Sequence, residues 1–351
     1  MRKIKVAQIG VQHDHASVVY RAITHLTDVF EVVGIAVEPE EDSRPNPVVV
    51  QGINGDLYKG HNLMTVEEIF NIPDLDAVII ETNEISSVKY ALMAAERGIA
   101  VHLDKPGGIV LADFEKLVET VKKNNVPFHT GYMYRYNPAV IEALKIVKSG
   151  EIGEVCSVEA QMNCLHSAEK RQWLKDFPGG MLFFLGCHLV DLVISFHGFP
   201  KEVVPLSTST GFDGVTAKDM GMAVFKYDNG NSFIKSSAAE PCGFLRRQLV
   251  ITGEKGTIEI NPIEMYAAKT KFDNHTCKMR VSSKEHGVDT SSWHTIGEWK
   301  EADLFDRYNN MMKSFAEMVR GEKVNPYTPD HELEVYKHVL KACGSSEVKD
   351  I

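Results

Sequence analysis

The chain has 351 residues, of which 44% are hydrophobic and 25% are charged, a composition typical of a folded protein with ample core. Its net charge is −10, so the composition does not indicate the basic surface with which proteins bind nucleic acids or anionic membranes. The six cysteines are scattered without a C-x-x-C pair, which favours reduced thiols. The first residues pass directly into a strand pattern without a signal-peptide pattern. We therefore expect a cytoplasmic protein with room for two domains that binds neither nucleic acid nor membrane.

Strand and helix patterns alternate over the first 130 residues. An apolar strand at 3–10 precedes helical spacing at 16–26, and a second strand follows at 30–38. A capping box of Thr65 and Glu68 predicts the start of a further helix. More strand patterns, with helix patterns between them, follow at residues 76–82, 100–106 and 126–132. This alternation predicts an α/β Rossmann domain, a doubly wound parallel sheet, over residues 1–130.

The pattern changes after residue 130. Asn137 and Pro138 begin a predicted helix that Gly150 ends, and mostly strand-like segments follow, with a hairpin turn at 228–230. The apolar run 181–196 carries a histidine and an aspartate, and at 16 residues it predicts a buried helix rather than a membrane span. We predict an α+β domain with a large, mostly antiparallel sheet over residues 131–351, which binds substrate and forms oligomers.

Two helices are predicted near the end of the chain. They cover roughly residues 303–320 and 330–343, and they could pack back on the first domain. The broad sheet of the second domain favours a homodimer or a homotetramer.

The segment after the first strand, residues 10–16, occupies the place of a phosphate-binding loop. Gly10 matches the first glycine of the G-x-G-x-x-G fingerprint, whereas Gln12 and His15 stand where the second and third glycines are usual. The start of the following helix still offers unpaired N–H groups and a positive dipole end to an anion. A protonated His13 or His15 could add positive charge. We therefore predict that Gly10, Gln12, His13 and His15 bind the cofactor.

A metal site is an alternative interpretation of His13 and His15, because residues two apart on an extended segment face the same way. No third ligand has a defined spacing to this pair. We therefore assign no metal site from the sequence.

Ligands of a parallel sheet bind at the carboxyl ends of its strands, and polar residues lie at these ends here. Glu38 follows the second strand, where its carboxylate can accept hydrogen bonds from a ribose diol and would repel a 2′-phosphate. This favours NAD over NADP. The later strands end at the cofactor-binding candidates Thr82, Asn83, Asp104, Lys105 and Pro106, and at the substrate candidate Tyr132.

In the second domain, His188 and Asp191 are three residues apart and share one face of an apolar helix. Together with the Asp104-Lys105-Pro106 motif, the run at 131–140 and the glycines before His188, they resemble the Gfo/Idh/MocA family of sugar dehydrogenases over essentially the whole chain. The resemblance implies a Rossmann domain that holds NAD(P) and a sheet domain with the sugar pocket.

The resemblance also implies roles for single residues. Lys105 would be a catalytic lysine that hydrogen-bonds the carbinol oxygen, with a pKa lowered by partial desolvation. His188 would be the acid–base residue that takes the hydroxyl proton as hydride leaves the same carbon. Further substrate contacts are expected from Tyr132, Arg135, Trp173 and Asp191, in addition to His188.

The chain departs from the family pattern at two functional positions besides the glycine loop. Phe184 stands four residues before His188, where an aspartate is usual, and Leu174 follows Trp173, where an arginine is common. Asp191 could partly replace the missing aspartate, or it could pair structurally.

The function predicted from the sequence is an NAD(P)-dependent oxidoreductase that acts on a sugar, a polyol or a glycoside. Two alternatives remain open. The first is a family member with tightly bound NAD that oxidises a sugar transiently and then cleaves or epimerises it. The second is a non-catalytic protein that senses a nucleotide or a sugar.

Overall fold

The computed structural model describes residues 2–37, 56–266 and 274–348. The chain divides into two compact units, one of Met1–Tyr132 with Tyr308–Tyr336 and one of Met133–Arg307 with Lys337–Ile351. None of the helices in the described ranges is long and apolar enough to cross a membrane.

The first unit contains a six-stranded parallel sheet. Its strands are β1 (Ile4–Ile9), β2 (Phe30–Ala36), β3 (Leu63–Met64), β4 (Ala77–Ile80), β5 (Ala100–Leu103) and β6 (Phe128–Thr130). They are ordered β3-β2-β1-β4-β5-β6, so that the strand order reverses between β1 and β4. The predicted Rossmann fold is confirmed, and its ligand edge is the carboxyl end of β1 and β4.

Helices connect these strands. They are α1 (Ala16–His25), α2 (Val66–Phe70), α3 (Ser87–Glu96) and α4 (Leu111–Asn124). The predicted capping box at α2 is present: the Glu68 N–H donates to Thr65 Oγ1, and the Thr65 N–H donates to the Glu68 carboxylate. Strands β1, β4 and β5 are almost completely buried, as expected for strands covered on both faces.

The second unit is built on a larger sheet. Its strands are β7 (Val155–Asn163), β8 (Glu202–Pro205), β9 (Met220–Tyr227), β10 (Gly230–Ser237), β11 (Gln248–Gly253), β12 (Thr257–Ile260), β13 (Met265–Tyr266), β14 (Asn274–Thr276), β15 (Lys278–Ser282), β16 (Lys300–Glu301) and β17 (Phe305–Asp306). Eight of them are ordered β16-β15-β12-β11-β7-β10-β9-β8, with only β7 and β10 parallel, and β13-β14-β17 form a separate small sheet. The predicted mostly antiparallel sheet is confirmed.

Helices α5 (Pro138–Ser149), α6 (Ala168–Trp173) and α7 (Cys187–His197) belong to the same unit. The side chain of Asn137 caps α5 by accepting from the Ala139 N–H at 2.9 Å, and Gly150 ends the helix in the left-handed conformation. Helix α7 packs on β7 and β10 and is buried along most of its length, as the apolar run predicts.

The last helices are α8 (Asn309–Val319) and α9 (Pro329–Ala342). Helix α8 begins later than predicted, because residues 305–306 pair with β14 instead of joining the helix. The first unit includes α8, whose Phe315 ring packs on His102 and His129 of the parallel sheet.

Candidate active site

The turn after β1 depends on Gly10. Its φ of +95° lies in the left-handed region, and an added Cβ would stand 2.4 Å from the backbone nitrogen of Thr82. The Gly10 N–H donates to the Ala36 carbonyl at 2.8 Å, which holds the turn against β2. Only glycine fits this turn without displacing the segment after β4.

The side chains that follow Gly10 alternate between the interior and the surface. His13 and His15 are buried, whereas Gln12 and Asp14 are half-exposed. Helix α1 begins directly after His15, its first turn contains no acidic residue, and its N-cap makes no side-chain capping bond. The positive end of α1 can therefore accept an anion, although Asp14 opposes it.

His13 is fixed by hydrogen bonds through both ring nitrogens. Its Nε2–H donates to the Lys105 carbonyl at 2.9 Å, and its Nδ1 accepts from the His15 N–H at 3.1 Å. This network assigns the proton to Nε2. Burial lowers the pKa of His13 to about 3, so the ring is neutral at physiological pH. His13 thus links the phosphate-loop position to the backbone of the lysine motif.

Asp104 lies at the centre of this region. Its carboxylate faces His15 Nδ1 at 3.1 Å and accepts from the Lys105 N–H at 2.7 Å. A Cβ on Gly131 would stand 2.5 Å from an Asp104 oxygen, so a glycine at the end of β6 makes room for the carboxylate. Burial alone would raise the pKa of Asp104, but His13, His15 and Lys105 outweigh it and hold the pKa well below its usual range.

Two more carboxyl groups are buried beside His13. Glu81 Oε2 is 3.5 Å from His13 Nδ1, and Glu84 Oε1 is 3.7 Å from His13 Nε2. Burial and then the charge of Asp104 raise the pKa of Glu81 well above its usual range. Neither glutamate was among the candidates from the sequence. The available signal was their place in the segment after β4, with Glu81 directly after the strand and Glu84 three residues later.

The other predicted cofactor residues of this unit lie at the same sheet edge. Thr82 and Asn83 are buried after β4, where Thr82 Oγ1–H donates to the Asn83 carbonyl at 3.1 Å. Lys105 and Tyr132 are also buried, and the peptide between Lys105 and Pro106 is cis. The prediction for Glu38 lies outside the described residues.

Two buried histidines add to the polar side chains near this edge of the parallel sheet. His102 and His129 face each other with their Nδ1 atoms 2.7 Å apart. One of these two nitrogens donates a hydrogen bond and the other accepts it, so one of the two histidines carries a proton on Nδ1. Burial lowers the pKa of His102 to about 4. The sequence analysis missed this pair, whose members lie on the neighbouring strands β5 and β6.

In the second unit, His188 lies in the first turn of α7. A π-helical turn, Leu182–Gly186, directly precedes this helix, and such turns often occur at functional sites. His188 is 1% exposed, and its ring meets the Tyr134 ring edge-on at 5.1 Å. The neighbouring aromatic ring restricts how the imidazole can turn.

Tyr134 is itself held by buried charges. Its hydroxyl donates to Glu264, which also binds the Arg247 guanidinium and lies 3.3 Å from Arg307 Nε. Burial alone would raise the pKa of Glu264, but Arg307 and Arg247 outweigh it and lower the pKa to about 2. A glutamate that is ionised at neutral pH therefore anchors the tyrosine that contacts His188.

Arg135 and Asp191, both predicted to contact substrate, bind each other. Arg135 Nη2 lies 2.6 Å from Asp191 Oδ1, and Arg135 Nε lies 3.0 and 3.1 Å from the two carboxylate oxygens. Both side chains are almost completely buried. This bidentate ion pair connects the segment before α5 to helix α7. Of the two roles left open for Asp191, structural pairing is therefore the one that its contacts with Arg135 favour.

Phe184, at the position where the family usually has an aspartate, lies in an aromatic cluster. Its ring meets Trp173 at 5.6 Å and Phe177 at 6.2 Å. The Lys170 ammonium lies 3.9 Å from the centre of the Trp173 ring and 4.3 Å from that of Phe184. Lys170 is completely buried, and the sequence analysis missed it, although its place one turn before Trp173 was a usable signal.

Comparisons with known proteins agree with this fold and these motifs. Residues 4–132 match a model of an oxidoreductase family with an NAD-binding Rossmann fold, and residues 140–259 match the GFO/IDH/MocA C-terminal domain. The chain belongs to the Gfo/Idh/MocA family, and it is accordingly an enzyme of the oxidoreductase class.

Individual relatives cover most of the chain at low identity. Trans-1,2-dihydrobenzene-1,2-diol dehydrogenase of Xenopus tropicalis is 25% identical over 280 residues, 75% of this chain and 83% of the relative. The scyllo-inositol 2-dehydrogenase (NAD(+)) of Bacillus subtilis is 25% identical over 286 residues, 80% of this chain and 77% of the relative. The crystal structure of aldose-aldose oxidoreductase from Caulobacter crescentus superimposes with a TM-score of 0.76 at 18% identity, covering 98% of both chains.

Proposed function

We propose that this enzyme is an NAD-dependent dehydrogenase that oxidises a hydroxyl-bearing carbon of a sugar, a polyol or a glycoside, with Lys105 and His188 handling the proton. The observation that carries the proposal is the setting of His188. It is a buried histidine in the first turn of α7, held edge-on by Tyr134, which Glu264 anchors. A histidine whose ring is held in place is suited to accept a proton in general base catalysis.

The residues at the edge of the parallel sheet fit a dinucleotide. Gly10 keeps the tight turn, and the uncapped start of α1 offers positive potential to a pyrophosphate. Bound NAD would supply the hydride acceptor, while the protein supplies orientation and charge. Gln12 is half-exposed and is our candidate for direct contact with the nucleotide. For the buried His13 and His15 we propose an indirect role, through Lys105 and Asp104.

Lys105 and His188 divide the proton chemistry between them in this proposal. The ammonium of Lys105 hydrogen-bonds the hydroxyl oxygen of the substrate and favours its deprotonated form. His188 accepts the hydroxyl proton as the carbon–hydrogen bond breaks, and in the reverse direction it returns that proton. The hydrogen bond from His13 to the Lys105 carbonyl restricts the motif that carries the lysine.

Substrate contacts are proposed for Tyr132, Arg135, Trp173 and Asp191, with a distinction among them. Arg135 and Asp191 satisfy much of each other's hydrogen-bonding capacity, so we propose that they mainly position α7. Trp173 offers an aromatic face suited to the C–H side of a sugar ring, beside the Lys170 ammonium. The preference for NAD over NADP rests on the carboxylate of Glu38 at its place in the sequence.

The proposal is tested by nucleotide binding and turnover together. The purified enzyme is denatured and the supernatant assayed for released nucleotide. The enzyme is then titrated with NAD and NADP and supplied with a panel of aldoses, polyols and glycosides. We expect tighter binding of NAD and formation of reduced nicotinamide with at least one compound. Binding of neither nucleotide would contradict the proposal.

Stoichiometric release of NAD without net reduction would instead indicate the alternative in which oxidation is transient and is followed by cleavage or epimerisation. The same preparation tests the expected homodimer or homotetramer by its mass in solution.

A further inference from the structure

The phosphate-loop position of this chain brings together side chains that bind metals. His13, His15 and Asp104 each offer one ligand atom, these three atoms all lie within 4.8 Å of one another, and all three residues are buried. The two histidines come from the loop after β1, while Asp104 comes from the end of β5, 89 residues later. The aspartate is the third ligand that spacing along the sequence could not reveal.

The separations between these atoms suit a small divalent ion. Metal–ligand bonds of about 2.0–2.2 Å in a tetrahedral zinc site place neighbouring ligand atoms about 3.3 Å apart. Asp104 Oδ2 is 3.1 Å from His15 Nδ1 and 3.6 Å from His13 Nδ1. Glu81 Oε2 is 3.5 Å from His13 Nδ1, but Glu81 clusters with His102 and Asp104 rather than with the two loop histidines, so it adjoins the three ligands without belonging to their set.

The outer contacts of His13 are those of a metal-binding histidine. Histidine ligands usually donate their second N–H to a carbonyl or a carboxylate, which fixes the tautomer and aims the other nitrogen at the metal. His13 Nε2–H donates to the Lys105 carbonyl at 2.9 Å, which leaves the lone pair on Nδ1, the nitrogen that lies 3.6 Å from Asp104 Oδ2. A metal would compete with the His15 N–H for this lone pair, so that amide would have to rotate away on binding.

The balance of charge in the cluster favours a cation. Glu81, Glu84 and Asp104 are all 3% exposed or less, and Lys105 follows Asp104 directly in the sequence. Buried carboxyl groups need protons, paired charges or a metal. A divalent ion bound by Asp104 would add positive charge beside these acidic groups.

We propose that His13, His15 and Asp104 form a binding site for a divalent transition-metal cation of the zinc type. Two imidazoles and a carboxylate form a ligand set that suits such ions better than Ca²⁺ or Mg²⁺, which prefer oxygen ligands alone. The ion cross-links the loop after β1 to the end of β5. This site does not depend on the dehydrogenase proposal, because all three ligands come from the protein and none from a nucleotide or a substrate.

The test is a zinc titration of the full, tag-free chain after treatment with a chelator, in the absence of nucleotide. A metallochromic competitor reports the affinity. We expect one Zn²⁺ per chain, and in H15N and D104N a loss of affinity that exceeds the roughly 100-fold effect of outer-shell changes. The matched control is H25N, at the exposed last position of α1, which should bind as the parent does. A parent that binds no stoichiometric zinc, or variants that bind as tightly as the parent, would overturn the proposal.

A second variant separates loss of a ligand from loss of folding. H15C replaces one ligand by a thiol, and with Co²⁺ it should show a thiolate-to-cobalt charge-transfer band that the parent lacks. Thermal unfolding followed by circular dichroism checks that each variant is folded. Cobalt binding by folded H15C without this band would show that position 15 is not a ligand and would refute the assignment.

Discussion

Phe184 shows how one residue changes the surroundings of the proposed substrate site. An aspartate at this position would offer hydrogen bonds, whereas the phenylalanine ring packs among Trp173 and Phe177 and lies under the Lys170 ammonium. Burying a lysine is costly unless its charge is stabilised, and two ring faces contribute to that stabilisation. The Phe184 ring therefore helps to stabilise the buried charge of Lys170.

The first residue-scale prediction concerns F184A. Truncating this buried ring should lower the free energy of unfolding by about 3–5 kcal/mol, because it leaves a cavity and removes one cation–π contact. Urea unfolding of the purified variant measures the change. F212A, at a position that is 61% exposed, is the matched control and should change stability by at most about 0.5 kcal/mol. Equal effects in both variants would contradict the packing described.

The second residue-scale prediction concerns pH. Because the pKa of Glu264 is lowered to about 2 in the fold, its ionisation contributes stability that is fully present above the unfolded pKa near 4.5 and is lost as pH falls towards 2. E264Q should cost about 3–5 kcal/mol at neutral pH, since Arg247 and Arg307 lose their buried partner. The variant should also lose less stability between pH 5 and 3 than the parent.

The measurement for this prediction is urea unfolding at a series of pH values. E202Q is the control, because the ion pair of Glu202 with Lys226 is half-exposed and should be worth less than about 1 kcal/mol. Parallel pH dependence in the parent and in E264Q would show that Glu264 is not the ionised anchor.

At the scale of elements, the ends of helices and strands were the most predictable features. Thr65 with Glu68 and Asn137 with Gly150 mark helix ends through local hydrogen bonds, so residues near in sequence were sufficient to identify them. The start of α8 was predicted wrongly, because pairing of 305–306 with β14 is a contact between distant segments.

The element-scale prediction concerns the cap of α5. Asn137 accepts from the first turn of the helix and also donates from Nδ2 to the Ile263 carbonyl at 2.9 Å, and it is fully buried. N137A should therefore cost about 2–3 kcal/mol, combining a lost cap with an unsatisfied carbonyl. T65A removes an exposed cap with only local bonds and should cost about 1 kcal/mol. Chemical denaturation compares the two, and equal losses would contradict the dual role of Asn137.

The candidate site was predictable only in part, for a physical reason. The strand ends that carry Gly10, Thr82 and Asp104 follow from the alternation of strands and helices, because parallel strands end at one edge. The partners of the side chains do not follow from it. These partners depend on the directions in which side chains leave their helices and strands, and the one-dimensional pattern does not specify those directions. Examples are the contacts of Asp191 with Arg135, of Asp104 with His15 and of Lys170 with Phe184.

At the scale of the whole molecule, the two family matches and the two compact units divide the chain in nearly the same way. The match over residues 4–132 covers the parallel sheet, and the match over residues 140–259 covers much of the large sheet. The remaining C-terminal segment is used in both units, since Tyr308–Tyr336 belongs to the first and Lys337–Ile351 to the second. The chain therefore has both domains of the Gfo/Idh/MocA oxidoreductase family.

The most direct test of this account is the rate of nicotinamide reduction by H188N, with NAD and the best compound of the substrate panel. We expect a rate at least about 100-fold below that of the parent, because the asparagine cannot accept the hydroxyl proton, while NAD binding is retained. H25N, which changes an exposed histidine of the first unit, should keep the parent rate. A rate in H188N equal to that of the parent would contradict the central claim that His188 is the catalytic base.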